Sequence, residues 1–427
     1  MSLVSEFQAQ LQHSRYLIAF SGGADSTALL ALFAKSRQNR PHLRLRAVHI
    51  HHGLHASADA WSAHCRRICE KLDIPLIIER VTVDAKNGIE QGAREARYTA
   101  IQRLRHADEI VATAHHLQDQ TETFFLALKR GSGIKGLSAM QRESRLYDMP
   151  IFRPLLSFRK AELEDYLRAQ SLDWIEDDSN HDNRYDRNFL RNRILPELRR
   201  RWPDFDSAVS RSAQHCYEQD QLIRELLTPE FEKNYRKIDR TFALSDFADY
   251  RPNKQNALLR MWLTECRAPM PEKTQLTQLI RDVVFAKPDA NPQFVLGERV
   301  IRRYQNRLYM TPHYADVTNF RVTLALNETV DLPDNLGQLH LTKTAQNLTA
   351  LWQTDEHQYY ADLPLGEQEI RVGFGYAGKV KLHAQDVHRD IKKVWQKHGV
   401  PPWQRTRIPL IFMDGELKSA VGFFNVF

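Results

Sequence analysis

Short apolar segments alternate with longer segments of helical spacing over the first third of the chain. The apolar segments are residues 16–20, 43–50, 75–81 and 109–114. The helical segments are residues 27–34, 57–72, 88–105 and 118–128. Strands that alternate with helices of this length predict right-handed βαβ units and a parallel sheet. Because ligands of such sheets bind beyond the carboxyl ends of the strands, functional residues are expected in the loops that follow the apolar segments.

The pattern of the chain changes after the predicted sheet. The segments that follow are a short strand at residues 149–152, a helix at 158–169 with Ser157 as its predicted cap, and a long helix at 207–227. After these come a mainly helical stretch at 256–285, a β-like stretch at 293–310, and mixed strand-like patches at 316–351. At 427 residues the chain is long enough for two or three domains. We therefore predict an α/β fold with three parts. These are an N-terminal doubly wound parallel sheet at residues 1–215, a mainly helical middle domain at 216–315 and a small α+β C-terminal domain at 352–427.

A glycine turn stands between the first predicted strand and the first predicted helix. Its sequence is Ser21-Gly22-Gly23-Ala24-Asp25-Ser26. A strand, such a turn and a helix N-terminus bring backbone N–H groups and the positive end of a helix dipole to one point, which predicts a phosphate site. Asp25 could hold a divalent cation or cap the helix. No lysine follows the glycines as in GxxxxGK[ST], so this is not a P-loop NTPase of that kind. The alternative is an ordinary strand-to-helix turn with a serine cap.

Two carboxylates follow the fourth predicted strand. His115 and His116 end that segment, and Asp119 and Glu122 lie three residues apart, hence on one face of the next helix. Carboxylates beside a phosphate site can hold Mg²⁺ or orient an ammonium group, and the alternative is that they only complement the helix dipole. On the preceding helix, Arg94 and Arg97 lie one turn apart, where each either reaches a phosphate or belongs to a solvated face.

Charge and cysteine content narrow the class of protein. The formal net charge is +7 and the pI is about 9.1, which favours a polyanionic partner. Residues 371–407 hold nine Lys or Arg and only two acids. Four scattered cysteines, at 65, 69, 216 and 266, do not form a disulfide framework. Without a signal peptide or an apolar run of membrane length, a reducing cytoplasm is the expected compartment.

Basic residues also mark two candidate contacts to a nucleic acid. One run contains Arg187, Arg191 and Arg193, and the other lies in a basic helix near the C-terminus with Lys392, Lys393 and, beyond it, Arg405. Such runs either contact an RNA backbone or are merely solvated. Trp395 and Trp403 of the second run either stack on bases or fill a core.

Several stretches together resemble the tRNA(Ile)-lysidine synthetases, a family within the PP-loop ATP pyrophosphatases (adenine nucleotide alpha-hydrolase-like fold). The stretches are the glycine turn, His49-Ile50-His51-His52-Gly53-Leu54, Leu128-Lys129-Arg130-Gly131-Ser132-Gly133, Trp174-Ile175-Glu176-Asp177-Asp178-Ser179-Asn180, Arg187-Asn188-Phe189-Leu190-Arg191, and Lys392-Lys393-Val394-Trp395 with Pro401-Pro402-Trp403-Gln404-Arg405. One departure is that this chain has Gln118-Asp119 where the family commonly has paired aspartates.

The resemblance implies a ligase that modifies an isoleucine tRNA with a CAU anticodon. ATP would adenylate the C2 oxygen of the wobble cytidine, and the ε-amine of free L-lysine would then displace AMP to give lysidine. On this basis ATP is assigned to Ser21, Gly22, Gly23, Ala24, Asp25, Ser26, His49 and His115. Catalysis is assigned to Asp25, Asp119, Glu122 and Arg97, with Mg²⁺ on Asp25 and Asp119 and the lysine amine on Glu122. The tRNA is assigned to Arg187, Arg191, Arg193, Lys392, Lys393 and Arg405. A homodimer is one of the oligomeric states left open.

Two other functions share parts of this pattern. A tRNA thiolase would use the same adenylation with a sulfur nucleophile, but thiolases of this group generally rely on cysteines, often as CxxC, and this chain has no CxxC. A non-enzymatic tRNA-binding protein would carry a vestigial nucleotide site, against which the intact glycine turn weighs.

Overall fold

The computed structural model describes residues 2–84, 86, 88–287, 290–365 and 369–426, the side chains of residues 90, 179 and 180 excepted. The chain forms two compact units, Met1–Leu226 and Leu227–Phe427. Within the described residues, no helix combines the length and the apolar character needed to cross a membrane.

The first unit is built on a six-stranded sheet of order β3-β2-β1-β4-β6-β5. Its strands are β1 Arg15–Ala19, β2 Arg44–His51, β3 Leu76–Arg80, β4 Ile110–Ala112, β5 Glu143–Leu146 and β6 Met149–Phe152. All neighbours are parallel except β5 and β6, a hairpin that closes one edge. The four strands predicted from the alternating pattern, the short strand predicted at residues 149–152 and the doubly wound fold class are confirmed. Only the edge strand β5 was not predicted, because residues 143–146 carry three polar side chains and no apolar run.

The helices of the first unit cover both faces of the sheet. They are α1 Leu3–Ala9, α2 Ala24–Asn39, α3 Ala58–Lys71, α4 Ile89–Leu104, α5 Leu117–Lys129, α6 Ile134–Leu137, α7 Lys160–Ala169, α8 Asp186–Phe189 and α9 Leu195–Arg201, followed by α10 Phe205–Asn234, which runs on into the second unit. A π-helical turn, Leu190–Ile194, joins α8 to α9. Helix α2 is apolar nearly all round because it is buried on most sides. The ring of Phe33 packs 5.0 Å from that of Phe7 and 4.8 Å from that of Tyr16.

Ser157 does not cap the helix after the sheet, contrary to the prediction. The N-cap is Arg159, whose backbone N–H is bonded by the Glu162 carboxylate at 2.7 Å. The Ser157 hydroxyl instead donates to Glu6 at 3.4 Å. The helix therefore begins two residues later than its apolar pattern indicates.

The order of the strands explains where a ligand can bind. The chain runs outward from β1 through β2 to β3, then returns to the other side of β1 as β4. The loops after β1 and β4 therefore diverge and leave a crevice at the carboxyl ends of these strands. The glycine turn follows β1 and His115 follows β4, so both candidate stretches meet at this point.

The described part of the second unit contains four further α-helices and the remaining strands. Its helices are α11 Pro252–Glu265, α12 Lys273–Leu279, α13 Ile391–Lys397 and α14 Pro402–Arg405, with a π-helical turn at Ile280–Val284. One sheet has the order β7 Tyr235–Arg236, β8 Thr241–Ala243, β11 Arg307–Pro312, β10 Arg299–Tyr304 and β9 Gln293–Leu296. The stretch at 316–351, for which no order of elements was predicted, supplies β12 Arg321–Thr323, β13 Thr329–Asp331, β14 Gln338–Lys343 and β15 Leu348–Gln353.

The rest of the described second unit forms three further sheets. Strand β16 Gln358–Leu363 extends β13-β14-β15, while β17 Ile370–Gly373, β20 Leu410–Met413, β21 Glu416–Ala420 and β22 Phe424–Asn425 join β12, and β18 Lys379–Val380 pairs with β19 Arg389–Asp390. Trp395 and Trp403 are core residues rather than base-stacking surfaces, since they are only 3% and 7% exposed. The indole of Trp403 lies 5.3 Å from the ring of Tyr309.

Candidate active site

The glycine turn leaves the first backbone N–H groups of α2 without a side-chain cap. Gly23 is the N-cap and has no side chain to bond the first-turn N–H groups. The loop curls around Ser26, whose hydroxyl accepts from the Gly22 N–H at 3.1 Å and donates to the Gly23 carbonyl at 3.0 Å. The Ser21 hydroxyl lies 3.1 Å from that of Ser26. Backbone donors and hydroxyls thus surround a position where an anion fits.

The segment after α7 braces this loop. The Ile175 N–H donates to the Gly22 carbonyl at 2.9 Å, and Gly23 and Ile175 form an isolated parallel bridge. Gly22 has φ +88°, and a Cβ there would lie 2.5 Å from Ile175 Cδ1 and 2.9 Å from Cys65 Sγ. Glycine is required at this position both for its backbone angle and for the space around it.

We expect Gly22→Ala to weaken ATP binding strongly while most of the sheet stays folded. The new methyl must displace Ile175 or Cys65, and either movement shifts the amides that bind phosphate. ATP affinity measured by calorimetry checks this. Gly415→Ala is the matched control, because Gly415 has φ +86° with no atom within 4 Å of an added Cβ. An unchanged ATP affinity in Gly22→Ala would show that the loop does not hold the nucleotide.

His116 lies between the carboxylates of Asp25 and Asp119. Its Nε2 lies 3.5 Å from Asp25 Oδ2 and 3.5 Å from Asp119 Oδ2. Its Nδ1 accepts from the Gln118 N–H at 3.2 Å, while Asp119 accepts from the His116 N–H at 3.0 Å, which is a capping box at the start of α5. Burial opposes the charged form of His116, but the carboxylates of Asp119 and Asp25 outweigh it and raise the pKa of the imidazole. Burial likewise opposes the charged form of Asp119, yet the two histidines and a backbone hydrogen bond lower the pKa of its carboxyl.

Glu122 is fully buried and has arginine partners that the sequence pattern did not reveal. Arg191 contacts both its oxygens, with Nε at 2.7 Å and Nη2 at 2.8 Å, and Arg187 Nε lies 3.3 Å away. Arg191 Nη2 also lies 3.3 Å from Asp119 Oδ1. Burial disfavours its charge, but the bonds to Glu122 prevail and raise the pKa of Arg191. The structure thus brings Arg187 and Arg191, assigned above to tRNA, into the crevice beside the carboxylates.

The cluster brings charges of both signs together. Asp25, Asp119 and Glu122 are acidic, Arg187 and Arg191 are basic, and the neighbouring carboxylates favour the charged form of His116. Asp25 Oδ1 is buried and has no hydrogen-bond partner among the described residues. A buried carboxylate oxygen without a partner, next to a phosphate-binding loop, fits a Mg²⁺ ion shared with phosphates. Asp25 and Asp119 are the residues that would hold it.

The two histidines assigned to ATP belong to the strands on either side of β1, with His49 near the end of β2 and His115 after β4. His49 Nδ1 bonds the Phe20 carbonyl at 3.0 Å, and burial lowers its pKa. His115 Nδ1 bonds Thr113 at 2.9 Å, and burial lowers its pKa to about 4. Both rings are therefore neutral at pH 7, and each keeps its Nε2 for a ligand.

Arg97 and Arg94 occupy different surroundings on α4. Arg97 has an accessible surface but is crowded by protein atoms, and this desolvation lowers its pKa. Its charge acts on His49 and His52 at the end of β2. The guanidinium of Arg94 instead lies over the ring of Tyr98 at 5.1 Å.

Gln118, which stands where the family commonly has an aspartate, supports a neighbouring helix. Its Oε1 accepts from the Lys160 N–H at the start of α7, at 3.0 Å. The amide of Gln118 accepts this hydrogen bond without a charge, whereas an aspartate would add a fourth carboxylate to the cluster. The spacing of the sequence does not reveal this contact, because the two residues lie 42 positions apart.

The remaining basic residues assigned to tRNA lie mostly on the surface. Arg193 is exposed, as are Lys392 and Lys393 on α13. Arg405 is half-buried and its Nε donates to the Val400 carbonyl at 2.9 Å, where it supports the turn before α14.

Comparisons with known proteins cover the whole chain. Three family models match: a PP-loop domain at residues 2–198, a TilS substrate binding domain at 242–309 and a TilS substrate C-terminal domain at 370–426. The chain is 83% identical to the tRNA(Ile)-lysidine synthase of Actinobacillus succinogenes over 427 residues, all of both chains. It is 56% identical to that of Haemophilus influenzae strain PittGG, covering 100% of this chain and 99% of the relative.

Similarity to solved structures is more distant. The U34-tRNA thiolase NcsA from Methanococcus maripaludis matches half of this chain and 77% of its own, with 15% identity and a TM-score of 0.42. A similarity of this size carries no argument about chemistry.

Proposed function

This chain belongs to the tRNA(Ile)-lysidine synthase family, and we propose that it attaches free L-lysine to C2 of the wobble cytidine of an isoleucine tRNA. The tRNA carries the anticodon CAU, and ATP is converted to AMP and pyrophosphate. One observation carries the proposal. The first-turn N–H groups of α2, which no side chain caps, lie beside Asp25 Oδ1, which has no hydrogen-bond partner among the described residues. This arrangement suits a nucleotide whose pyrophosphate departs as an anion.

The reaction has two steps on one base. First, the C2 oxygen of the cytidine attacks the α-phosphate of ATP, and the bond between the α- and β-phosphates breaks to release pyrophosphate. Second, the lysine ε-amine attacks C2, the C2–O bond breaks, and AMP leaves with that oxygen. The first-turn amides of α2 and the hydroxyl of Ser21 would stabilise the departing pyrophosphate.

The carboxylate cluster would serve both steps. Asp25 and Asp119 would hold Mg²⁺, which would neutralise phosphate charge when bound. Glu122 would serve the lysine step, either by receiving the ammonium directly or by orienting Arg191 and Arg187. The carboxylates of the cluster support a cationic co-substrate, because lysine enters the crevice with its ammonium protonated.

Thiolation is less consistent with the cysteines of this chain. Cys65, Cys69 and Cys266 are buried, and burial raises the pKa of each thiol to about 12. A thiol of this kind is a poor nucleophile at neutral pH.

Nucleoside analysis tests the proposal directly. The protein is incubated with an unmodified isoleucine tRNA, ATP and L-lysine, and the digested tRNA is examined by mass spectrometry. We expect lysidine only when all three substrates are present. A methionine tRNA with the same anticodon is the matched control and should remain unmodified. Thiolated cytidine, or no change in the isoleucine tRNA, would contradict the proposal.

We expect Lys392→Ala together with Lys393→Ala to weaken tRNA binding and reduce its salt dependence. Both side chains are exposed on α13, and each lost phosphate contact lowers the slope of log K against log salt by about 0.9 at most. Binding titrations at several salt concentrations measure the slope. Lys418→Ala is the control, because Lys418 is paired with Glu416 at 2.8 Å. Equal slopes in the double variant and the wild type would show that these lysines are only solvated.

A further inference from the structure

Two exposed aromatic rings lie on the segment that also carries the arginines of the carboxylate cluster. Tyr185 is 40% exposed and Phe189 is 45% exposed. The Phe189 N–H donates to the Tyr185 carbonyl at 2.9 Å, so the two residues are one helical turn apart on the same side of α8. Within the described part of the chain, neither ring is paired with another aromatic ring.

The segment that carries these rings is fixed to α5. Arg187 Nη2 donates to the Thr123 hydroxyl at 3.0 Å, and Lys129 Nζ bonds Asp186 at 2.6 Å. The π-helical turn that follows places Arg191 on Glu122. The inward side of this segment is therefore occupied by arginines, and each ring stands two positions from Arg187, which touches Glu122.

Exposed apolar and basic side chains lie on the segments joined to α8. Leu128 and Arg130 flank Lys129, which bonds Asp186 of α8, while Arg193 and Ile194 belong to the π-helical turn that follows. Leu128 and Ile194 are 54% and 37% exposed, and Arg130 and Arg193 are exposed cations. Aromatic rings with neighbouring cations are the surface that binds single-stranded nucleic acid, because the rings stack on bases and the cations meet phosphates. A paired duplex does not offer its base faces to such rings, whereas a hairpin loop does.

We propose that Tyr185 and Phe189 form a stacking platform for the unpaired bases next to the wobble cytidine. This inference rests on the proposed function, since that function requires an anticodon loop at the crevice. Stacking of the neighbouring bases holds the loop open and turns the cytidine toward the glycine turn. It also replaces the role that the sequence pattern suggested for Trp395 and Trp403, which are buried.

A fluorescent base reports this stacking without turnover. The adenine of the CAU anticodon is replaced by 2-aminopurine, whose emission is quenched when it stacks on an aromatic ring. We expect saturating wild-type protein to quench the probe, and Tyr185→Ala with Phe189→Ala to leave it bright. Because this readout needs no catalysis, failure to form lysidine would overturn the proposed function and not the platform. Equal quenching by the wild type and the double variant would overturn the platform.

Steady-state kinetics with unlabelled tRNA provide the second measurement. Each alanine variant should raise the KM for tRNA about 5- to 150-fold, the cost of one lost base stack, with the KM for ATP unchanged. Tyr185→Phe and Phe189→Tyr keep a ring and should behave as the wild type, whereas Phe189→Leu should behave as Phe189→Ala. Leu222→Ala removes a side chain of equal exposure, 46%, on α10 and should change nothing. If Phe189→Leu matches the wild type, the ring makes an apolar contact and does not stack on a base. If the wild type forms a concentration-dependent dimer that the alanine variants lose, the surface binds a second copy of the chain. Either result would overturn the proposal.

Discussion

Asp25→Asn should reduce tRNA-dependent pyrophosphate release by about 30- to 1000-fold without unfolding the protein. The substitution keeps the shape of the side chain and removes the charge that holds a cation beside the glycine turn. A charged contact of this kind contributes about 2–4 kcal/mol. Asp25 Oδ1 has no partner among the described residues, Oδ2 lies 3.5 Å from His116 Nε2, where an asparagine oxygen can still accept a hydrogen bond, and the side chain is 32% exposed, so we expect the fold to survive. Pyrophosphate release is measured with a coupled assay, and folding with a thermal melt.

Asp59→Asn is the matched control for this variant. Asp59 is also an aspartate near the carboxyl end of a sheet strand, but it is 77% exposed and is paired with Arg80 and His51 on the surface. Its substitution should leave pyrophosphate release unchanged. If Asp25→Asn releases pyrophosphate at the normal rate, the nucleotide and its cation do not bind at this end of the sheet.

The local elements of the first unit could be predicted because their signals are local. The apolar segments ending at Phe20 and Ala114 predict strands by composition alone. The glycine turn after Phe20 likewise predicts a loop and the start of a helix. The strand order then brings the two loops together through a general property of doubly wound sheets. The crevice was therefore predictable at the level of which loops form it.

The partners of the charged residues could not be predicted in this way. Arg191 and Glu122 lie 69 positions apart, and their contact depends on a π-helical turn that the residue pattern does not predict. The basic run that contains Arg187, Arg191 and Arg193 is compatible with a solvated face, an RNA contact or an ion pair. The burial of Trp403 likewise depends on packing against Tyr309, which belongs to a distant strand.

Glu122→Gln should destabilise the first unit and stop lysine transfer. Removing the carboxylate leaves the guanidiniums of Arg191 and Arg187 without their buried partner. Loss of one member of a buried ion pair costs about 3–5 kcal/mol, and we expect roughly 2–3 kcal/mol here because the two arginine side chains are 31% and 32% exposed. Chemical denaturation measures this cost. A mass assay for adenylated tRNA, run with lysine present, measures the two half-reactions separately.

The double variant Glu122→Gln with Arg191→Met separates stability from chemistry. It removes the uncompensated charge along with the carboxylate, so most of the lost stability should return. If Glu122 serves the lysine step, adenylated tRNA should still accumulate in this stable protein, while Asp119→Asn should form no adenylated tRNA because Asp119 supports the first step. Restored lysidine formation in the double variant would mean that Glu122 only neutralises Arg191. Normal lysidine formation in both Asp119→Asn and Glu122→Gln would mean that the two carboxylates serve the start of α5 and its ion pairs alone, and that the lysine ammonium binds elsewhere.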